Sequence, residues 1–216
     1  MKIKSLVVAS ILLIGAGGYY LLSQWNTRAD SSAVATADTI ILLNQGGSME
    51  GHTPRGFQGM GTGLFVGDNL NENFPEGDGV QLFLLFDLTS IPKGKVESAV
   101  LQSLHATVRG TPFLDLGNLR AQEIRYDSFS SELWDSKAGD EICTFAMSID
   151  SPFACDLAGA VQRALDDEYP YAQFRLLFDK AGDGDGEQDM VMFYIQDTNT
   201  NEEGIFELHI AMTPEA

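Results

Sequence analysis

Basic side chains are scarce in this chain: 13 lysines and arginines stand against 31 aspartates and glutamates, a net charge of -18 over 216 residues. Without a basic cluster to neutralise phosphates, nucleic acid is not expected as a partner. Binding an anionic polymer or an anionic membrane surface by charge alone is disfavoured for the same reason. A neutral ligand, or an anionic one bridged by a divalent cation, remains compatible, and so does acidity that only keeps the surface soluble. Histidine is almost as rare. His52, His105 and His209 have no partner at motif spacing, and the chain holds no G-x-S-x-G string, no H-E-x-x-H string and no papain-type cysteine context. Paired carboxylates of the glycosidase type need a measured separation, which residue order does not supply. The expectation is therefore a protein that is not an enzyme.

Cysteine is limited to Cys143 and Cys155. In an oxidising compartment the two are expected to pair, closing a short loop at about 3 kcal/mol in the chain-entropy account. The competing reading is two reduced thiols packed as small apolar groups. Zinc is disfavoured, because no histidine lies close by in sequence.

Long apolar runs number one, Ser5 to Leu22, with Lys2 and Lys4 before it and Arg28 after it. That pattern reads as a signal peptide or an N-terminal anchor helix over residues 1–22, followed by a linker over 23–36. The run is at the short end of the roughly 20 residues that span a bilayer, and Gly15, Gly17 and Gly18 weaken it as a helix. Ala33 and Ala35 offer an A-x-A cleavage site, so cleavage and retention both stay open. No cysteine follows the run, which excludes acylation there. Either outcome places residues 37–213 outside the cytoplasm, secreted or anchored to the cell membrane through the N-terminal segment.

Those residues suffice for one domain with a sizeable core. Val80 to Leu101 reads as an apolar strand, an acidic stop at Asp87, a Pro/Gly turn and a second strand. Ala172, Phe174, Leu176 and Phe178 alternate with polar neighbours, as do Val191, Phe193 and Ile195, and again Phe206, Leu208 and Ile210. This predicts three half-buried strands in an antiparallel meander. Leu157, Val161, Ala164 and Leu165 have helical spacing with Asp156 placed to cap, so one short helix is expected there. Glycines from Gly46 to Gly79 predict a long loop holding a short strand at Leu64 to Val66. Its Gly59-Met60-Gly61-Thr62-Gly63 string is not a nucleotide motif, since no Gly-Lys-Ser/Thr follows. His105 and His209 are expected on the exposed sides of strands. The fold class that results is all-β, a two-sheet antiparallel jelly-roll sandwich with one short helix behind the leader.

Ala37-Asp38-Thr39 opens the domain, Leu84-Leu85-Phe86-Asp87-Leu88-Thr89-Ser90-Ile91-Pro92 precedes Ser98-Ala99-Val100-Leu101, and Cys155-Asp156-Leu157 stands before the helix. On these segments the chain resembles the DNRLRE-type β-sandwich modules. The resemblance implies a jelly-roll sandwich of the kind appended to extracellular polysaccharide-degrading enzymes, some of which bind acidic polysaccharides. Phe86, Leu88, Ile91, Pro92, Ala99 and Leu101, the matching positions, are packing and turn residues and carry fold rather than ligand. Asp87 is expected to hydrogen-bond the backbone of the turn it precedes.

Two groups of residues are candidates for a site. The loop from Asp179 to Asp189 places Asp179, Asp183, Asp185, Glu187 and Asp189 between glycines, a composition that lets oxygen ligands fold around calcium. It is not an EF-hand: counted from Asp183, the sixth position is Gln188 and the twelfth Tyr194, where glycine and glutamate are required. A solvated acidic hairpin loop is the alternative. For sugar stacking, Trp134 is the only tryptophan beyond the leader and linker, with Tyr126, Phe129 and Phe57 as companions, against the reading of a buried core tryptophan. The expected function is a non-catalytic module that binds extracellular polysaccharide or cell-surface components, with calcium as the one cofactor in view. A structural or filament subunit that self-associates through its N-terminal arm is the alternative, and a hydrolase or lyase without a recognisable motif comes third.

Overall fold

The computed structural model describes residues 37–51, 53–57, 64–71, 74–140, 142–193 and 205–215. The leader and linker, His52, the 59–63 glycine string, Tyr194 and the 197–204 loop lie outside the described residues.

The elements in chain order are β1 (Ala37–Leu42), β2 (Gln45–Glu50), β3 (Thr53–Phe57), β4 (Leu64–Asn71), β5 (Phe74–Asp87), β6 (Gly94–Ser103), β7 (Thr107–Arg109), α1 (Pro112–Asp115), β8 (Leu119–Glu123), β9 (Ile142–Ala146), β10 (Ala154–Asp156), α2 (Ala158–Asp166), β11 (Tyr171–Phe178), β12 (Asp189–Phe193) and β13 (Phe206–Pro214), with a short 3-10 turn at Ser131–Leu133. The strands form two antiparallel sheets. A small sheet of four runs β1-β13-β6-β10; a large sheet of nine runs β7-β12-β4-β5-β11-β8-β9, with β2 paired to β5 and β3 to β2.

Side chains from both sheets meet in one core. Leu82, Leu84, Phe86, Phe174, Leu176 and Val191 from the large sheet pack with Leu101, Leu208 and Ile210 from the small one. Phe145, Phe193 and Phe206 tie the layers together, with 4.7 Å between the Phe193 and Phe206 ring centroids. Strand β5 is apolar on consecutive residues because both of its faces are covered. Leu82, Leu84 and Phe86 enter the main core, while Phe83 points the other way into a second cluster with Met49, Ile124 and Leu133.

At the end of β5 the Asp87 Oδ1 atom accepts hydrogen bonds from the Thr89 amide at 2.8 Å and its hydroxyl at 2.6 Å. This is the side-chain turn expected of Asp87, and the chain then passes from the large sheet into β6 of the small one. Helix α2 lies where its spacing places it. Asp156 serves its start in a different way from a standard cap: one oxygen takes both the Ala158 amide at 2.8 Å and the Ala99 amide of β6 at 3.0 Å, so the same carboxylate fastens helix to sheet.

Four expectations need correction. Strands β11, β12 and β13 do not form a meander: β11 pairs with β5 and β8, β12 with β4 and β7, and β13 joins the small sheet between β1 and β6. Alternation marks an apolar face and says nothing about a strand's neighbours, and β11 is not half-buried: its polar side, Gln173 and Arg175, is covered as well. The glycine-rich region is largely strand. Gly51 does mark a turn, with φ +51° between β2 and β3, but Gly46 and Gly79 mark close approaches: a Cβ on Gly46 would stand 2.8 Å from the Leu64 side chain, and one on Gly79 would stand 2.5 Å from the Ala181 carbonyl oxygen. The helix count rises by α1, which proline at its first turn begins. His105 is exposed in the β6–β7 connection and not in a strand, whereas His209 lies on β13.

Candidate functional site

The disulfide is present: Cys143 and Cys155 are bonded, with their Cα atoms 6.1 Å apart. Cys143 lies on β9, the last strand of the large sheet, and Cys155 on β10, the last strand of the small one. The bond therefore joins the two layers at their common edge.

The acidic loop connects β11 to β12. Asp183, Asp185 and Asp189 each offer a carboxylate oxygen, and the three oxygens lie within 4.8 Å of one another, an arrangement able to hold a metal ion. The first two side chains are exposed and Asp189 is buried. Local hydrogen bonds shape the group: the Asp185 amide donates to Asp183 at 3.3 Å and the Glu187 amide to Asp185 at 2.7 Å. Asp189 is anchored by the Thr111 amide at 2.5 Å. Burial pushes the Asp189 carboxyl above its ordinary value, although the Thr111 bond opposes the rise.

The other two expected ligands are not in this group. Asp179 turns to Arg120, whose Nε donates to it at 2.8 Å, and takes the Asn118 amide at 2.9 Å. The Arg120 hydrogen bond holds its carboxyl below the usual range. Glu187 contributes its backbone to the loop and its carboxylate stands exposed outside the cluster.

One acid that residue order alone did not single out adjoins the group. Asp68 on β4 is the register partner of Asp189 on β12 and is only 1% exposed. Its Oδ2 atom accepts the Asp183 amide at 3.3 Å, while its buried Oδ1 atom has no hydrogen-bond partner among the described residues. Its carboxyl is pushed up from 3.8 to about 6, chiefly by desolvation and then by the negative charges of Asp183, Asp189 and Asp185, although the Asp183 amide bond opposes the rise. A signal for it was present: continuing the period of two from Leu64 through Val66 brings Asp68 to the inward side of its strand.

The aromatic candidates gather on the outer face of the large sheet. Tyr126, Phe129 and Trp134 pack, half-buried, on Met49, Phe83, Ile124 and Leu133. Phe83 meets Phe129 edge-on at 5.7 Å and Tyr126 at 6.2 Å. Burial pushes the Tyr126 phenol far above its ordinary value. Phe57 lies on β3, whose pairing to β2 brings that strand alongside. Beneath the Trp134 segment, the buried Arg175 guanidinium donates to the Trp134 carbonyl at 3.3 Å, the Ser136 carbonyl at 3.1 Å and Gln122 at 2.8 Å, which holds the segment on the sheet. A cavity of about 200 Å³ is lined by Trp134, Gln81, Gly67, Val80 and the residues from Leu177 to Ala181. It adjoins the start of the acidic loop, so the two candidate groups share one region of the surface. A shallower hollow of about 610 Å³ lies between the start of β6, α2 and the end of β13.

Among the described residues no helix is long and apolar enough to cross a membrane. Compared with known proteins, the chain matches no protein-family model, and no curated protein is similar to it in sequence.

Proposed function

We propose that this chain is an extracytoplasmic, non-catalytic module of jelly-roll type that binds extracellular polysaccharide, with calcium as a structural ion in its acidic loop. The supporting observation is the cavity beside Trp134, which Trp134, Gln81, Asp179 and Lys180 line together. Aromatic rings bind sugars through their faces while polar neighbours hold hydroxyl groups. At about 200 Å³ the hollow is smaller than the roughly 300 Å³ at which pockets enclose drug-sized ligands, which suits a single ring of a longer chain. The disulfide fits an oxidising compartment outside the cytoplasm.

The test is retention of the full chain on a panel of immobilised neutral and acidic polysaccharides, with Trp134→Ala alongside. Retention that the substitution abolishes, in a protein that still melts cooperatively, supports the reading; no retention on any member overturns it.

A second reading, a cell-surface subunit assembling through its N-terminal arm, draws on β1. This strand is the C-terminal part of the expected arm, residues 23–43, and is an edge of the small sheet, with Ile40 and Leu42 exposed at 56% and 42%. An open edge with apolar side chains is a template for an added strand. Concentration-dependent polymers in sedimentation, lost on deleting residues 23–36, distinguish it from the glycan-binding module.

A further inference from the structure

Buried carboxylate oxygens normally have a partner, and one without any calls for a physical explanation. Among the described residues Asp68 Oδ1 is such an atom. Around it the chain has brought Asp183, Asp185 and Asp189, all of the same sign, onto a residue that water does not reach. Like charges in a desolvated place repel strongly unless a cation lies among them.

The geometry also fits a cation. Ligand oxygens on opposite sides of a calcium ion stand about 5 Å apart, twice a bond of about 2.4 Å, and the oxygens of Asp183, Asp185 and Asp189 lie within 4.8 Å of one another. The loop rests directly on Asp68: a Cβ on Gly182 would stand 2.7 Å from its Oδ2 and 3.6 Å from its Oδ1. Asp189 comes from the rigid β4–β12 ladder, where Asp68 is its register partner, and Asp183 and Asp185 come from a glycine-rich loop. Such a mixture suits the irregular, larger shell of calcium better than the strict octahedron of magnesium.

We infer that Asp68 joins Asp183, Asp185 and Asp189 in a divalent-cation site of the calcium class, and that the bound ion pins the 179–189 loop onto β4. Asp68 is the ligand that distinguishes this site from an acidic surface loop, because it is fixed and buried where the loop carboxylates are exposed. The inference deepens the calcium clause of the proposed function. It stands apart from sugar binding, since the ion is held by residues that do not line the cavity at Trp134 apart from the loop they share.

The test is isothermal titration of the full chain, stripped with EDTA, with calcium chloride and separately with magnesium chloride, in buffer free of any sugar. Thermal melts accompany each titration. Wild type is expected to bind one calcium ion and to melt higher with it, with magnesium at least tenfold weaker. Asp68→Asn is expected to weaken calcium at least tenfold and to lose the calcium-dependent rise in melting temperature, while Asp179→Asn and Glu187→Gln keep both. Should Asp68→Asn fail to fold, Asp185→Asn, at an exposed position, is expected to show the same loss. Absence of calcium binding in wild type, binding by Asp68→Asn equal to wild type, or equal binding of magnesium overturns the inference. None of these outcomes depends on whether the protein retains polysaccharide.

Discussion

Asp68 and Asp189 face each other across the β4–β12 ladder, 1% and 2% exposed, two acids held side by side within a sheet. In chelator this pair works against the fold. Asp68 rises from 3.8 to about 6, so between those values the folded chain keeps a proton that the unfolded chain has lost. The contribution is fully present below about pH 4 and is lost as pH rises through 6, a change on the order of 3 kcal/mol. Urea denaturation in EDTA is expected to show wild type losing stability between pH 4.5 and 7 relative to Asp68→Asn, and a parallel course for the two proteins refutes it.

Asp87 has the opposite sign. Its two hydrogen bonds from Thr89 hold the carboxyl below its ordinary value, so its contribution is present above about pH 4 and is lost as pH falls through the lowered value. Asp87→Ala is expected to cost about 1 kcal/mol at pH 7. The difference from wild type should shrink below pH 3, as read by denaturant midpoints.

Reducing Cys143–Cys155 removes the covalent link between the last strands of the two sheets. Its sequence separation of 12 corresponds to about 3 kcal/mol of loop-closure entropy. The Cys143→Ser, Cys155→Ser double variant is expected to lose a similar amount, with unchanged far-ultraviolet circular dichroism at low temperature.

Gly79 and Gly184 separate two reasons for glycine. A Cβ at Gly79 meets the Ala181 carbonyl at 2.5 Å, so Gly79→Ala is expected to push the acidic loop off β5 and cost about 1–3 kcal/mol. At Gly184 a Cβ meets nothing within 4 Å, but φ is +73°, so Gly184→Ala should cost only about 1 kcal/mol of backbone strain. Only the first is expected to weaken calcium binding in proportion to its displacement of the loop.

Much of the local structure is legible along the chain. The β5 strand, its stop at Asp87, helix α2 and the pairing of Cys143 with Cys155 all rest on neighbours a few residues apart, or on there being no other cysteine. The glycines of β2, β4 and β5 misled because glycine marks turns and close backbone approaches alike, and only the partner across the gap distinguishes them. Trp134 was readable as buried or as a platform. It is half-buried on Phe83 and its neighbours and also lines a cavity, because the outer face of β5 needed a cover and the 124–136 segment supplies it.

Charge balance, alternation and turn chemistry are properties of residue order, so the acidity of the 179–189 loop, the inward faces of the strands and the corner after Asp87 follow without a fold. The meeting of Asp68 with Asp183, 115 residues away, does not. Burial favours any strand pairing that covers apolar faces, and many pairings do so for one strand alone. Closing two sheets over a single core leaves one arrangement that covers all of them, and that arrangement sets β4 beside β12 and brings the loop down onto Asp68.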